Sequence, residues 1–146
     1  MKISINILKA RPSDLEEILD ILAANNLPTK DIKESDIDFY VIRDKNRIEA
    51  CAGVEKYGDK GLLRSVAVQE ELRRKGLGRV FIEGLLSKIK KTGILEFYLL
   101  TETAQTFFSE LGFEVLDRAR APKSIRLSTE FSELCSSTAV FMKKKL

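Results

Sequence analysis

The chain has 146 residues, 44% hydrophobic and 32% charged, with 25 Lys+Arg against 22 Asp+Glu, two Cys and no His, which bounds it to one compact soluble domain with enough apolar mass for a core. Without an imidazole there is no Ser-His-Asp or Cys-His relay, no histidine-ligated zinc and no histidine base, and two cysteines cannot complete a four-thiolate zinc site. A net charge of +3 is too small to point to nucleic acid.

Ile3, Ile5 and Ile7 alternate with polar residues and predict a half-buried strand. Ser13 and Glu16 then read as a capping box before a helix whose apolar stripe is Leu15, Ile18, Leu19 and Leu22. Asn25-Asn26-Leu27-Pro28 ends that helix. The polar stretch that follows, to Asp38, carries only Ile32 and Ile37 as apolar marks. It reads as a short helix or a loop, where a substrate-covering segment could sit. Phe39–Arg43, the turn Asp44–Arg47 and Ile48–Tyr57 predict a hairpin, and Gly58-Asp59-Lys60-Gly61 turns into a third strand, Leu62–Val68. Leu77, Val80, Phe81, Leu85 and Ile89 mark a helix that stops near Gly93. Ile94–Leu100 is an apolar strand placed to pair parallel with Leu62–Val68 through that crossover helix. Thr101–Leu111 reads as a helix stopped by Gly112, and Phe113–Asp117 starts a strand. Pro122 opens a helical segment through Ile125, Leu127 and Phe131, and Thr138–Met142 is a last strand. The expectation is an α/β (α+β) domain over residues 1–146, its mixed, mostly antiparallel sheet holding a parallel pair in the middle.

No apolar run reaches the roughly 18 residues of a membrane span, and MKISINILKA lacks the apolar stretch of a signal peptide. The expected location is the cytoplasm, with neither membrane nor nucleic acid as partner. Cys51 and Cys135, flanked by apolar or small residues, suit reduced, buried thiols better than a secreted disulfide framework. The clusters Lys88, Lys90, Lys91 and Lys143-Lys144-Lys145 read as a solvated helix face and a solvated chain end.

Arg73-Arg74-Lys75-Gly76-Leu77-Gly78 lies between a predicted strand and a helix. Two glycines there let backbone approach a ligand, and unpaired N–H groups at a helix start attract an anion. The same residues also fit a solvated basic surface at an ordinary glycine-led helix start, and they match neither a Walker loop nor a dinucleotide fingerprint.

Val66-Ala67-Val68 followed by that run resembles the Q/R-x-x-G-x-G/A signature of the GNAT N-acetyltransferases, and Ala104, Phe107, Phe108 and Leu111-Gly112-Phe113 resemble the family's next helix and its LGF close. Order and spacing match over essentially the whole chain. The resemblance implies the GNAT fold, with a splayed central parallel pair and helices on both faces. It implies acetyl-CoA as co-substrate and no metal, held by Val66, Ala67, Val68, Arg73, Arg74, Lys75, Gly76, Leu77, Gly78 and Arg79, with Thr103, Phe107 and Phe108. It also implies a homodimer. A narrower similarity covers Gly61–Val68, Tyr98–Ala104 with Phe107-Phe108, and Ile125-Arg126, Glu130-Phe131, Leu134-Cys135, Ser137-Thr138-Ala139 and Met142. It is to the amino-acid N-acetyltransferases linked to arsenic resistance, which acetylate the α-amine of arsinothricin or phosphinothricin, both glutamate analogues. The Leu99-Leu100-Thr101 turn is also similar to the acetyltransferase domain of N-acetylglutamate synthase.

Acetyl transfer needs a neutral amine, a donor for the developing oxyanion and a proton for the departing thiolate. The resemblance assigns the oxyanion donor to a backbone N–H at Val66. The family's usual acid is a tyrosine, but Phe108 stands there and has no proton to give. Tyr57, Tyr98 and Cys135 are the alternative acids, each equally readable as a strand aromatic or a buried thiol. Glu102, Glu55 or solvent would take the amine proton. By strand alternation Arg64 shares a face with Leu62, Val66 and Val68. Its guanidinium either holds a substrate carboxylate or pairs with Glu55 on the neighbouring strand. Thr101 and Glu102 are further acceptor-binding candidates, with helix capping as the alternative for Thr101. The expected activity is N-acetylation of a glutamate-like amino acid, arsinothricin or phosphinothricin first. N-acetylglutamate synthesis, N-terminal peptide acetylation and a non-catalytic acetyl-CoA-binding module are the rivals.

Overall fold

A computed structural model describes residues 6–33, 36–72, 75–129, 131–132 and 138–146. The order is β1 (Ile7–Lys9), α1 (Leu15–Ala24), β2 (Asp38–Asp44), β3 (Arg47–Tyr57), β4 (Lys60–Val68), α2 (Leu77–Lys90), β5 (Glu96–Thr101), α3 (Gln105–Glu110), β6 (Glu114–Val115), α4 (Lys123–Arg126) and β7 (Val140–Lys145). The strands form one sheet in the order β1-β2-β3-β4-β5-β7-β6. The expected parallel pair is present, Lys60–Leu63 facing Glu96–Leu99, and β7 runs antiparallel to both β5 and β6. The chain forms two compact units, Met1–Gly53 with Ser65–Lys88 and Val54–Arg64 with Ile89–Leu146. Strands β3 and β4 each run through both.

In the first unit the apolar stripe of α1, Ile18, Ile21 and Leu22, packs with Phe39, Val41, Ile48, Cys51 and Ala67. Each of the large apolar side chains among them contributes about 1.5–3 kcal/mol when fully buried. The cap of α1 differs from the expected Ser13–Glu16 box. Ser13 lies inside a 3₁₀ turn, Pro12–Asp14, and Asp14 Oδ2 accepts the Arg11 N–H at 2.7 Å. Arg43 of β2 also donates to that oxygen, at 2.8 Å, so a partner 29 residues away decides which side chain serves the helix start. The other end follows the sequence: Asn26 takes φ +58, Leu27 N–H bonds Leu22 O at 3.0 Å and Asn26 N–H bonds Ala23 O at 3.1 Å, a Schellman ending with Asn in the place of glycine. The polar stretch after it holds a turn at residues 30–33 rather than a helix, with Ile32 in the core. Ile3 and Ile5 lie outside the described residues.

In the second unit Leu62, Tyr98, Ala121, Ile125 and Phe141 form the core. A Cβ on Gly61 would come within 2.9 Å of the Phe97 ring, so the close approach of β4 to β5 requires glycine there. Three expectations are corrected. The helix over Thr101–Leu111 shrinks to α3, because Thr101 is held in β5 opposite Val140. The segment opened by Pro122 is not one continuous helix: α4 covers Lys123–Arg126, a turn follows at Leu127 and Ser128, and Thr129, Phe131 and Ser132 are helical again. The last strand is displaced from Thr138–Met142 to Val140–Lys145; Lys145 is exposed, as expected of a solvated chain end, but Lys143 and Lys144 are half-buried and paired. Lys143 pairs with Glu96 at 3.1 Å and lies 5.7 Å from the Tyr98 ring centroid, and Lys144 Nζ donates to Leu111 O at 2.7 Å. Their long stems cover the sheet while their ammonium groups find acceptors at its margin. Among the described residues no helix is long and apolar enough to cross a membrane.

Candidate active site

The second half of β4 carries the backbone expected to meet the cofactor, and it departs from a regular strand. Ser65 has φ +56 and is buried. A left-handed non-glycine residue within a strand is a bulge-type distortion, strained by about 1–2 kcal/mol. Alternation does not carry across such a residue. The expectation that Arg64 shares a face with Val66 and Val68 rests on an alternation that Ser65 interrupts. Beyond Ser65, Ala67 is buried in the first unit's core while Val66 and Val68 are half-exposed. The strand end is anchored by Gln69, whose N–H bonds Glu49 O at 2.9 Å and whose Nε2 donates to Ile48 O at 3.2 Å.

The loop reaches α2 through Lys75 and Gly76, both exposed; Arg73 and Arg74 lie outside the described residues. Gly76 has φ +79, and a Cβ built on it would meet nothing within 4 Å. Its carbonyl accepts the first helical bond, from Val80 N–H at 3.2 Å, so Gly76 occupies the cap position without a side chain to cap. The N–H groups of Leu77, Gly78 and Arg79 precede that first bond. No acidic residue lies in the first turn of this 14-residue helix, which leaves the positive end of its dipole uncompensated there. Arg79 Nε pairs with Glu83 at 2.8 Å on the exposed face.

In the second unit the Arg64 side chain is 0% exposed, and its Nη1 lies 3.1 Å from Oε2 of Glu55, itself 8% exposed. Tyr57 O–H donates to the other oxygen, Oε1, at 2.6 Å. The internal pairing posed by the sequence as one of two roles for Arg64 is thus present. Tyr98 O–H donates to Glu96 at 2.6 Å, and burial together with that carboxylate pushes the hydroxyl well above the usual tyrosine range, which makes it a poor proton donor. At the carboxyl end of β5, Thr101 Oγ1 accepts Ala104 N–H at 3.0 Å, while Glu102 and Thr103 are exposed. Phe108 is buried, in edge contact with Phe107 at 5.1 Å and Phe113 at 5.6 Å. An aromatic core accounts for phenylalanine in place of tyrosine. Cys135 lies outside the described residues. Three features had no sequence signal strong enough to find them: the Ser65 bulge, the Asp14–Arg43 pair, and the Glu96–Tyr98–Lys143 cluster.

The acetyltransferase (GNAT) domain family matches residues 35–115 of the chain. The chain is 32% identical over 89 residues to the uncharacterized N-acetyltransferase CT2212 of Chlorobaculum tepidum, covering 60% of this chain and 57% of that protein. It is 30% identical over 96 residues to an amino-acid acetyltransferase of Pasteurella multocida, covering 64% of this chain and 22% of that protein. The chain therefore spans less than two thirds of the length of these relatives. Among solved structures, an N-acetylglutamate synthase from Neisseria gonorrhoeae, complexed with coenzyme A and N-acetyl-glutamate, aligns with TM-score 0.84 at 15% identity, over 100% of this chain and 36% of that one. Rv2747 from Mycobacterium tuberculosis, in complex with CoA, aligns with TM-score 0.78 at 18% identity, over 97% and 99%. These two share the fold. With the family match running from before β2 to the end of β6, across β4, the glycine loop and α2, the chain belongs to the GNAT acetyltransferase family.

Proposed function

We propose that the chain, as one acetyltransferase domain over residues 1–146, uses acetyl-CoA to acetylate the α-amine of a small, glutamate-like amino acid. The observation that carries this reading is the start of α2. Gly76 directs no side chain into the open space before the helix, its φ suits glycine, and no carboxylate in the first turn repels an anion. Those features fit a phosphate-bearing cofactor arm. Acetyl-CoA supplies an activated thioester acyl carbon when bound. Arg73, Arg74, Lys75, Gly76, Leu77, Gly78 and Arg79 hold its phosphates, Val66, Ala67 and Val68 offer backbone groups to its arm, and Thr103, Phe107 and Phe108 are its remaining contacts. The Val66 N–H donates to the negative charge that develops on the acyl oxygen. Tyr57 or Cys135 protonates the departing sulfur, and solvent or Glu102 takes the amine proton. Arg64, Thr101 and Glu102 bind the acceptor, Arg64 through a carboxylate.

Arsinothricin or phosphinothricin is the acceptor that the narrower resemblance favours. Glutamate is the second reading, supported by the similarity to an amino-acid acetyltransferase and by the fold shared with an N-acetylglutamate synthase. A homodimer in the cytoplasm completes the proposal. Steady-state CoA release is measured with arsinothricin, phosphinothricin, glutamate and an N-terminal peptide as acceptors. The expected outcome is the highest kcat/KM for a glutamate-shaped amine. Turnover of the peptide alone overturns the acceptor class, and calorimetric binding of acetyl-CoA with no transfer to any amine leaves a non-catalytic binding module.

A further inference from the structure

Cys51 of β3 is fully buried and beside the distorted part of β4. Its thiol donates to Ser65 O at 3.6 Å, and the Ala67 N–H faces its sulfur, where it favours the thiolate slightly against the larger effect of burial. One side chain thus touches both peptide groups that flank Val66. These peptides are trans. In a planar trans peptide the carbonyl and the N–H point to opposite sides. With Ser65 C=O turned toward Cys51, the Val66 N–H points away from it; with Ala67 N–H turned toward Cys51, the Val66 carbonyl points away as well. Both backbone groups of Val66 are thereby aimed at the side opposite the thiol.

We infer that Cys51 is a positioning residue, whose thiol clamps the two peptides around Val66 and so aims the Val66 N–H for acetyl transfer. The inference rests on the proposed role of that N–H as oxyanion donor. Each sulfur contact is weak by itself, but the two come from one short, buried side chain and fix two consecutive peptide planes. The clamp also accounts for the left-handed Ser65: a strained residue persists only where its surroundings over-determine it. Burial pushes the Cys51 thiol up to about 12, so at neutral pH it keeps the proton it donates to Ser65. Cys51 is a hydrogen-bonding group here, not a nucleophile.

The test uses Cys51→Ala, Cys51→Val and Cys51→Ser in the full chain, with kcat, both KM values and amide hydrogen exchange as readouts. Outright loss of an oxyanion donor lowers kcat on the order of 100–1,000-fold. Misaiming it in the Ala and Val variants is expected to lower kcat at least about ten-fold with the KM for acetyl-CoA little changed, and to accelerate exchange at Ala67 N–H. Serine, which can both donate and accept, should restore most of kcat and of the protection. Valine fills the space without hydrogen bonding, so a Val variant with wild-type kcat and wild-type Ala67 exchange reduces Cys51 to packing and overturns the inference. A Ser variant as slow as Ala does the same. Wild-type protein that acetylates no amine refutes the proposed function instead, and the exchange rates then still decide whether the thiol holds the backbone.

Discussion

Glu55→Gln separates the two roles of Arg64. The substitution keeps the shape of the side chain, and its amide oxygen can still accept the Tyr57 O–H, so the change removed is the negative charge 3.1 Å from a guanidinium with 0% exposed side chain. An ion pair at this depth is a weak source of net stability, but removing the charge of one partner costs about 3–5 kcal/mol. For a chain of this size that corresponds to a fall in Tm of about 10 °C. The double variant Glu55→Gln/Arg64→Met removes both charges and should regain most of the loss, since apolar replacements of a buried pair are often neutral. Thermal unfolding followed by circular dichroism measures the cycle. A Glu55→Gln Tm within about 1 °C of wild type would refute the reasoning, because the guanidinium would then have no need of Glu55. The same double variant tests function without the confounding instability. If Arg64 anchors the acceptor's carboxylate, the acceptor KM rises at least about ten-fold while the acetyl-CoA KM stays put; equal effects on the two, or on neither, assign Arg64 to the fold.

Two further predictions concern the first unit. Gly76→Val places a β-branched residue at φ +79 with no atom within 4 Å of its Cβ; the strain lowers stability by only about 1–2 kcal/mol, yet acetyl-CoA binding by calorimetry should weaken at least ten-fold, and undiminished affinity would remove the loop from the cofactor site. Burial raises the Asp14 carboxyl, but hydrogen bonds from Arg43 and from Arg11 N–H outweigh it and hold the group below its ordinary 3.8. A depressed carboxylate stabilises the fold above its unfolded pKa and loses that contribution as pH falls through the folded value. Asp14→Asn should therefore be about 2–3 kcal/mol less stable at pH 7 and converge on wild type only as pH falls through the folded-state pKa, which lies below 3.8. A stability gap that stays constant from pH 7 to pH 2 would dissociate Asp14 from the acid transition.

Much of the fold was legible because it is local. Periodicity placed β2 to β5, α1 and α2, and the crossover through α2 implied the parallel pair. What escaped was decided at long range. Asp14 displaced Ser13 as the cap because Arg43 reaches it from β2. Thr101 and the three terminal lysines are strand residues because β7 pairs with β5 along its full length, which no window of either segment reveals. At the site, Gly76 announced itself, since a glycine that starts a helix after a basic run is informative in sequence. Ser65 did not: serine between arginine and valine carries no signal for φ +56, and its strain is imposed by neighbours on other strands.

That difference bears on the chemistry. At position 108, where the resemblance places the family's tyrosine, the chain has phenylalanine, and the ring there lies in edge contact with Phe107 and Phe113. A hydroxyl added at that buried position would need a partner of its own to avoid a desolvation penalty of about 1–3 kcal/mol, so restoring tyrosine is no simple repair. Tyr98 is tied to Glu96 and Tyr57 to Glu55, which leaves side-chain acids constrained wherever they are described. A backbone donor has no such conflict: its strength depends only on where it is aimed. In a chain without histidine, the proposed function leaves transition-state stabilisation mainly to the peptide at Val66, and on that reading the side chain inferred to aim it, Cys51, becomes worth more than its weak hydrogen bonds suggest.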